Sequence, residues 1–293
     1  VPSNNDHVIY VWLDALTNYL SALNYPNIQD KLYKNFWPAS LHVIGKDILR
    51  FHAIYWPAFL MAADIKPPNR VFSHGWILSG DEKMSKSKGN ILDPIEIINT
   101  YGVDQLRYYL MKEVSHGSDG SISLQSLKNC INSDLANNYG NLCQRVFSFV
   151  KNNCQNQITN TKALSKSDTK LITDTKLLLK NLRENMNNQN LNDYIKSVIN
   201  ISFLTNKYIN DEEPWKLKKT DTNRMSNTLH LALEQIAKIS ILLNPIIPNS
   251  TSKVLDALNI NKKSRNLSFL DKKNILEDKI KINNLNILFK KIE

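Results

Sequence analysis

The chain has 293 residues, 42% of them hydrophobic, with Lys and Arg outnumbering Asp and Glu by 37 to 27, a formal charge of +10 and a pI near 9.3. That size and apolar content support one large or two ordinary cores, and the basic excess favours an anionic partner, nucleic acid being the commonest. A bilayer span is excluded because the longest apolar run, Ile54 to Ala63, is short and holds Pro57; Cys130, Cys143 and Cys154 lack zinc-knuckle spacing and read as reduced intracellular thiols.

In chain order, Val1 to Asp6 has no basic stretch ahead of an apolar one, which argues against a signal peptide, and it reads as the inside of a longer chain. Val8-Ile9-Tyr10-Val11 predicts a short buried strand and Leu13 to Leu23 a helix. Leu41-His42-Val43-Ile44 predicts a second strand, ended by Gly45. Ile48 to Ala63 predicts a helix distorted near Pro57, and Arg70 to His74 a third strand. Strands alternating with helices argue for a mostly parallel α/β sheet. Asp93-Pro94-Ile95-Glu96 carries the signals of a helix start, and Asp104 to Lys112 predicts the next helix.

The remainder predicts helices only. Leu124, Leu127, Ile131, Leu135, Leu142, Val146 and Phe149 keep helical spacing, as do Leu171 to Leu182, Leu191 to Ile209 and Met225 to Leu243, the last stopped by Asn244-Pro245. Polar linkers over 152–168, 185–190 and 211–223 separate them, the pattern of an antiparallel helix bundle. The expected division is therefore an α/β domain over 1–117 and an all-α bundle over 118–293.

Three features carry chemistry. Lys83-Met84-Ser85-Lys86-Ser87 is a cationic, donor-rich loop suited to a polyphosphate; alone, such a cluster reads as a solvated turn. Gly45-Lys46-Asp47 follows a predicted strand, where open α/β sheets bind ligands; Asp47 is equally suited to accept from a ribose or to cap the next helix. Asn141 and Arg145, four apart on one helix face, can read base edges, and Trp215, just past Pro214 in a predicted loop, can stack on an unpaired base.

These pieces, with Val11-Trp12-Leu13-Asp14-Ala15, Ile44-Gly45-Lys46-Asp47 running into Phe51-His52 and Trp56-Pro57-Ala58, Ser73-His74-Gly75-Trp76, Asn141 to Arg145 and Glu212 to Trp215, resemble the methionyl-tRNA synthetase family of class I in order and over nearly the whole chain. The resemblance implies the second half of a class I Rossmann-type catalytic domain followed by a helix-bundle anticodon-binding domain. It implies methionine–tRNA ligase activity, with methionine activated by ATP with Mg2+ and passed to tRNA(Met). Lys86, Lys83 and Ser85 would be catalytic; Gly45, Asp47, His74, Gly75 and Lys86 would hold ATP. Trp12, Ala15, Tyr19, Ile48, His52 and Trp56 would hold methionine. Asn141, Arg145, Pro214 and Trp215 would read the CAU anticodon. Leu16 stands where many members have proline.

The family's first signature, H-I-G-H, is absent from the sequence. The chain is therefore expected to be inactive alone, to need the N-terminal half of the synthetase as its partner, and to carry no zinc site in this part. A monomer in a cytoplasm of bacterial type, with an organellar matrix as the other home, is expected. Two other functions fit less of the sequence: a tRNA-anticodon-binding module without catalysis, and a class I synthetase of the Cys, Leu, Ile or Val type.

Overall fold

The computed structural model describes residues 2–8, 10–79, 92–114, 117–268 and 274–293, and the backbone alone at 82–83. Packing divides these into two compact units, Val1–Ile77 with His116–Gly120, and Leu78–Ser115 with Ser121–Glu293.

In the first unit, helix α1 (Val11–Ser21) buries Leu16 and Leu20 on one face. The described residues of the expected first strand do not form one: Val8 and Tyr10 are exposed and outside any strand, and Val11 already belongs to α1. A run so short gains from extended structure only through a neighbouring strand, and the helical spacing of Leu16 and Leu20 takes the segment instead. Helix α2 (Lys31–Phe36) starts at Asp30, whose carboxylate accepts from Leu32 N at 2.7 Å.

Strand β1 (His42–Gly45) pairs in parallel with a later strand, joined to it by a crossover that includes helix α3 (Trp56–Ala62). The crossover opens with a tight turn at Lys46–Ile48 and widens to a π-helical turn at Phe51–Tyr55. Pro57 accounts for the widening, because its ring presses on the carbonyl four residues back and it has no N–H to give. Strand β2 (Val71–His74) completes the pair in the register His42↔Val71 to Gly45↔His74. The core beneath is Leu16, Leu20, Trp37, Trp56 and Leu60.

The chain passes into the second unit within β3 (Ile77–Ser79), which pairs antiparallel with β4 (Glu82–Lys83), Leu78 facing Lys83 and Ser79 facing Glu82. Helix α4 (Pro94–Tyr101) starts as expected, with Asp93 accepting from Ile95 N at 2.7 Å and Pro94 in the first turn. Helix α5 (Val103–Glu113) follows Gly102, whose φ of +106° suits glycine. Strand β5 (Gly120–Ile122) lies on the other side of β3 from β4. Helix α6 (Leu124–Cys130), a π-helical stretch at Ile131–Gly140 and helix α7 (Asn141–Cys154) run on without a break.

The bundle continues with β6 (Gln157–Thr159), α8 (Lys166–Leu179), α9 (Leu182–Asn187), α10 (Leu191–Glu212), α11 (Pro214–Thr220), α12 (Thr222–Leu243), α13 (Pro248–Ala257) and β7 (Lys279–Lys281). Helix α12 is buried almost all round, from Met225 to Leu243, which makes it the central element. The expectation of helix alone fails at β6 and β7, which pair antiparallel, and the linker expected over 211–223 is helical at Pro214–Thr220. The closing residues are not helical; Phe289 plugs the core, and Asn132 exchanges hydrogen bonds with Ile292 at 2.7 and 2.8 Å. Arg107 on α5 donates to the carbonyls of Ile246 and Pro245 at 2.7 and 2.8 Å, and Asp104 accepts from Ser250 N at 2.6 Å, so α5 is bonded into the bundle. Among the described residues no helix is long and apolar enough to cross a membrane.

Candidate functional site

Gly45 and His74 are register partners at the carboxyl ends of the two parallel strands. Here an α/β sheet opens its ligand crevice, because the backbone groups of the following turns face outward unpaired. Gly45 leads straight into the turn that carries Asp47, which is exposed. A side chain at Gly45 would collide with Asp47, its Cβ falling 2.6 Å from Oδ1, so glycine lets the carboxylate fold back over the strand end. His74 is exposed, with Nδ1 3.0 Å from the Gly75 carbonyl.

Gly75 has a different reason to be glycine. A Cβ there would sit 2.1 Å from the Ser118 carbonyl oxygen, so the 118–119 backbone crosses directly against it. Asp119 fixes that crossing: both its carboxylate oxygens bond Lys46 Nζ, at 2.5 and 2.6 Å, and Oδ1 accepts from Trp76 N at 2.7 Å. Gly120 N adds a bond to the Trp76 carbonyl at 2.8 Å. The turn after β1 and the turn after β2 are thus tied to one carboxylate. Lys46 and Asp119 are 73 residues apart, and no local sequence signal links them.

Beside this lies an aromatic box. Tyr19 Oη is 3.0 Å from His52 Nε2, and His52 Nδ1 is 3.0 Å from the Ile48 carbonyl. A carbonyl only accepts, so in the neutral ring Nδ1 carries the proton and Tyr19 donates to Nε2. Trp12 stacks on Phe51 at 3.9 Å, and Tyr19 lies 4.3 Å from the ring of His42 and 6.2 Å from Trp56. Ala15 is exposed on the α1 face shared by Trp12 and Tyr19. Leu16, next in the chain, is buried in the core that Trp56 shares. Sequence reasoning missed His42 and Phe51. His42 was legible as the inward residue two before Ile44 on β1. Burial, and next the neighbouring His52, hold the His42 ring below its ordinary pKa, so it stays neutral; its Nε2 and the Trp56 Nε1 are buried without partners.

Lys86 and Ser85 lie outside the described residues. Lys83 is described by its backbone, opposite Leu78 in the hairpin that follows β2 by a few residues.

In the second unit, Asn141 is exposed at the start of α7 and Arg145 is half-buried one turn on. Arg145 Nη2 donates to Asn210 Oδ1 at 2.8 Å, and its guanidinium lies 5.8 Å from the centroid of the Trp215 ring. Trp215 is 42% exposed at the start of α11, while Pro214 is buried. Arg145, Phe149, Asn152, Ile209, Pro214 and Trp215 line a pocket of about 320 Å³. Of the four residues expected to read bases, Arg145, Pro214 and Trp215 come together here, and Asn141 does not line the pocket. The thiols of Cys130 and Cys143 are buried and unpaired, and burial pushes Cys130 up to about 12, so both are unreactive. Among the described residues no cluster of His, Cys, Asp and Glu could hold a metal ion.

Comparison with known proteins agrees with this geometry. The family described as tRNA synthetases class I (M) matches residues 1–147, and the anticodon binding domain of methionyl tRNA ligase matches 158–293. The methionine–tRNA ligase of Brucella suis is 45% identical over 258 residues, covering 88% of this chain and 50% of that protein. That of Rickettsia typhi is 44% identical over 295 residues, covering 100% and 58%. The chain spans about half the length of these curated relatives. A crystal structure of Mycobacterium tuberculosis methionyl-tRNA synthetase bound by methionyl-adenylate superimposes with a TM-score of 0.91 at 38% identity, covering 99% of this chain and 57% of that one. The apo form of the same enzyme gives 0.88 at 35%, covering 100% and 58%. With one family matched across the first half and its companion domain across the second, the chain belongs to the methionine group of the class I tRNA synthetases, and comprises part of the catalytic domain followed by the anticodon-binding domain.

Proposed function

We propose that this chain serves methionine–tRNA ligation, contributing the second part of the catalytic fold (1–117) and the anticodon-binding domain (118–293). The methionine carboxylate oxygen attacks the α-phosphorus of ATP, brought as its Mg2+ complex, and pyrophosphate leaves. A ribose hydroxyl of the terminal tRNA adenosine then attacks the carbonyl and AMP leaves. The observation that carries the reading is the aromatic box of Trp12, Tyr19, His52 and Trp56 beside the Gly45–His74 strand ends. A thioether offers little to hydrogen-bond, so it is selected by aromatic walls and weakly polar tips. Trp12, Ala15, Tyr19, Ile48, His52 and Trp56 hold the methionine side chain.

Asp47 accepts from the ribose hydroxyls, Gly45 allows the approach, and His74 and Gly75 border the adenine end. Lys86 stabilises the charge that develops on the α-phosphate, Lys83 assists, and Ser85 donates to phosphate. Trp215 stacks on an unpaired anticodon base, with Pro214 fixing the turn beneath it, while Arg145 and Asn141 bond base edges. Such stacking is worth about 1–3 kcal/mol per base.

The exposed apolar residues Val43, Ile54 and Met61, and a parallel sheet of only two strands among the described residues, support a requirement for the synthetase's N-terminal half. Two measurements test the proposal. The chain alone is expected to bind an RNA hairpin with a CAU loop and to discriminate against a changed anticodon; equal binding of both overturns the RNA reading. It is expected to show no methionine-dependent ATP–pyrophosphate exchange, and robust exchange overturns the need for the N-terminal half.

A further inference from the structure

The base-reading pocket rests on the last turn of α10. From it Asn210 accepts from Arg145, and one residue past its end the chain turns at Glu213, whose φ of +47° redirects it into Pro214 and Trp215. What holds that turn is a polar cluster beneath the surface. Arg224, at the start of α12, forks onto Asp168 through Nη1–Oδ2 at 2.6 Å and Nη2–Oδ1 at 2.8 Å. The same guanidinium donates to Glu212 Oε2 from Nε at 2.9 Å and also from Nη2. Ser167 donates to Glu212 Oε1 at 2.5 Å, and Tyr208 to Asp168 Oδ1 at 2.6 Å. Ser165 N closes the set on Asp168 Oδ2 at 3.0 Å. Three helix ends, those of α8, α10 and α12, thereby meet on one arginine.

We propose that Glu212, Arg224 and Asp168 are positioning residues for anticodon reading: they lock the end of α10, and so set where Trp215 and Arg145 stand. The proposal rests on the reading of the Arg145–Trp215 pocket as a base site. A left-handed residue such as Glu213 persists only where its surroundings over-determine it. Glu212 is its immediate neighbour, and every oxygen of that carboxylate is bonded. A planar fork serving two carboxylates fixes direction as well as distance, which an ammonium would not do. Sites that read bases lose selectivity when their support loosens by a fraction of an ångström.

The test uses the chain with two RNA hairpins, one with a CAU loop and one with its first anticodon base changed, and compares Glu212→Gln, Arg224→Lys, Ser167→Ala and Trp215→Ala. Glu212→Gln and Arg224→Lys are expected to lose about tenfold in CAU affinity and a similar factor in discrimination while the circular dichroism spectrum is kept. Ser167→Ala strips one hydrogen bond and leaves the ion pairs. It is expected to lose about threefold while staying folded, which keeps the test valid should the ionic variants unfold. Wild-type affinity and discrimination in Ser167→Ala and in whichever ionic variants fold, beside a loss in Trp215→Ala, overturns the positioning role and leaves the base site standing. Unchanged binding by Trp215→Ala overturns the base site, and the positioning role with it.

Discussion

The two units hold their sites in place by opposite means. In the first, the turns after β1 and β2 are joined by Lys46 and Asp119, whose side chains are 40% and 39% exposed. In the second, the turn that presents Trp215 is joined to the bundle by Arg224 and Asp168, at 17% and 2%. Exposed ion pairs contribute little because water and salt screen them, whereas a buried one is costly to break because its partner is left charged and unpaired. The cores differ in the same sense. The first unit's is a small cluster around Trp56, and the second's runs from Ile97 to Phe289. The site proposed for a small substrate is thus built on close backbone contact, and the site proposed for RNA on a buried charge network.

Four measurements break or sharpen that contrast. The largest effect is expected from Arg224→Ala, which strands Asp168 and Glu212; the second unit should lose about 3–5 kcal/mol in urea unfolding, and a loss below ~1 kcal/mol would show the network to be idle. Gly75→Ala comes next, at about 1–3 kcal/mol, because its methyl group meets backbone and not a movable side chain. Hydrogen exchange should quicken at the amides of Trp76 and Gly120, which the crossing protects.

Acid should separate the units. His42 has a folded pKa below the ordinary 6.5, so both states are neutral above that value and stability is full there. As the pH falls below 6.5 the unfolded chain takes up the proton first, and the first unit weakens until the folded pKa is passed. Asp168 is buried, which alone would raise its pKa, but the bonds from Arg224 and Tyr208 prevail and hold it below the ordinary 3.8. Its contribution is full above 3.8 and is lost only as the pH falls from there through the folded value. Tryptophan fluorescence of the first unit should therefore change at milder acidity than the helical signal, and His42→Gln should flatten the milder step. The smallest effect is expected from Lys46 and Asp119, whose double-mutant cycle should give a coupling below about 1 kcal/mol that vanishes in high salt.

Much of this was legible in the sequence where the cause is local. Asp93-Pro94 marked a helix start, Pro57 marked a distortion, and the spacing of Asn141 and Arg145 put them on one face. The glycine after β1 and the aromatic residues of the box were found because their neighbours in the chain carry the pattern. What escaped depends on contacts made across the chain. Val8 to Val11 has strand composition, yet α1 already begins at Val11, and the β6–β7 ladder joins segments more than a hundred residues apart. Trp215 was placed in a loop because Pro214 reads as a breaker, yet proline is at home in a first helical turn. Asp119 and Arg224 carry no motif, and only folding shows what each of them holds.

Gly140 closes the π-helical stretch ahead of α7, and a methyl there would lie 2.6 Å from the Leu135 carbonyl, five residues back. The wider coil therefore sets the azimuth of everything downstream. Removing a single residue between Ile131 and Gly140 would let the backbone relax to ordinary winding, and by about 100° per residue it would swing the Asn141 edge out of line. Chain length in this stretch sets the facing of α7, so a one-residue indel there should be far more damaging than a substitution at the same place.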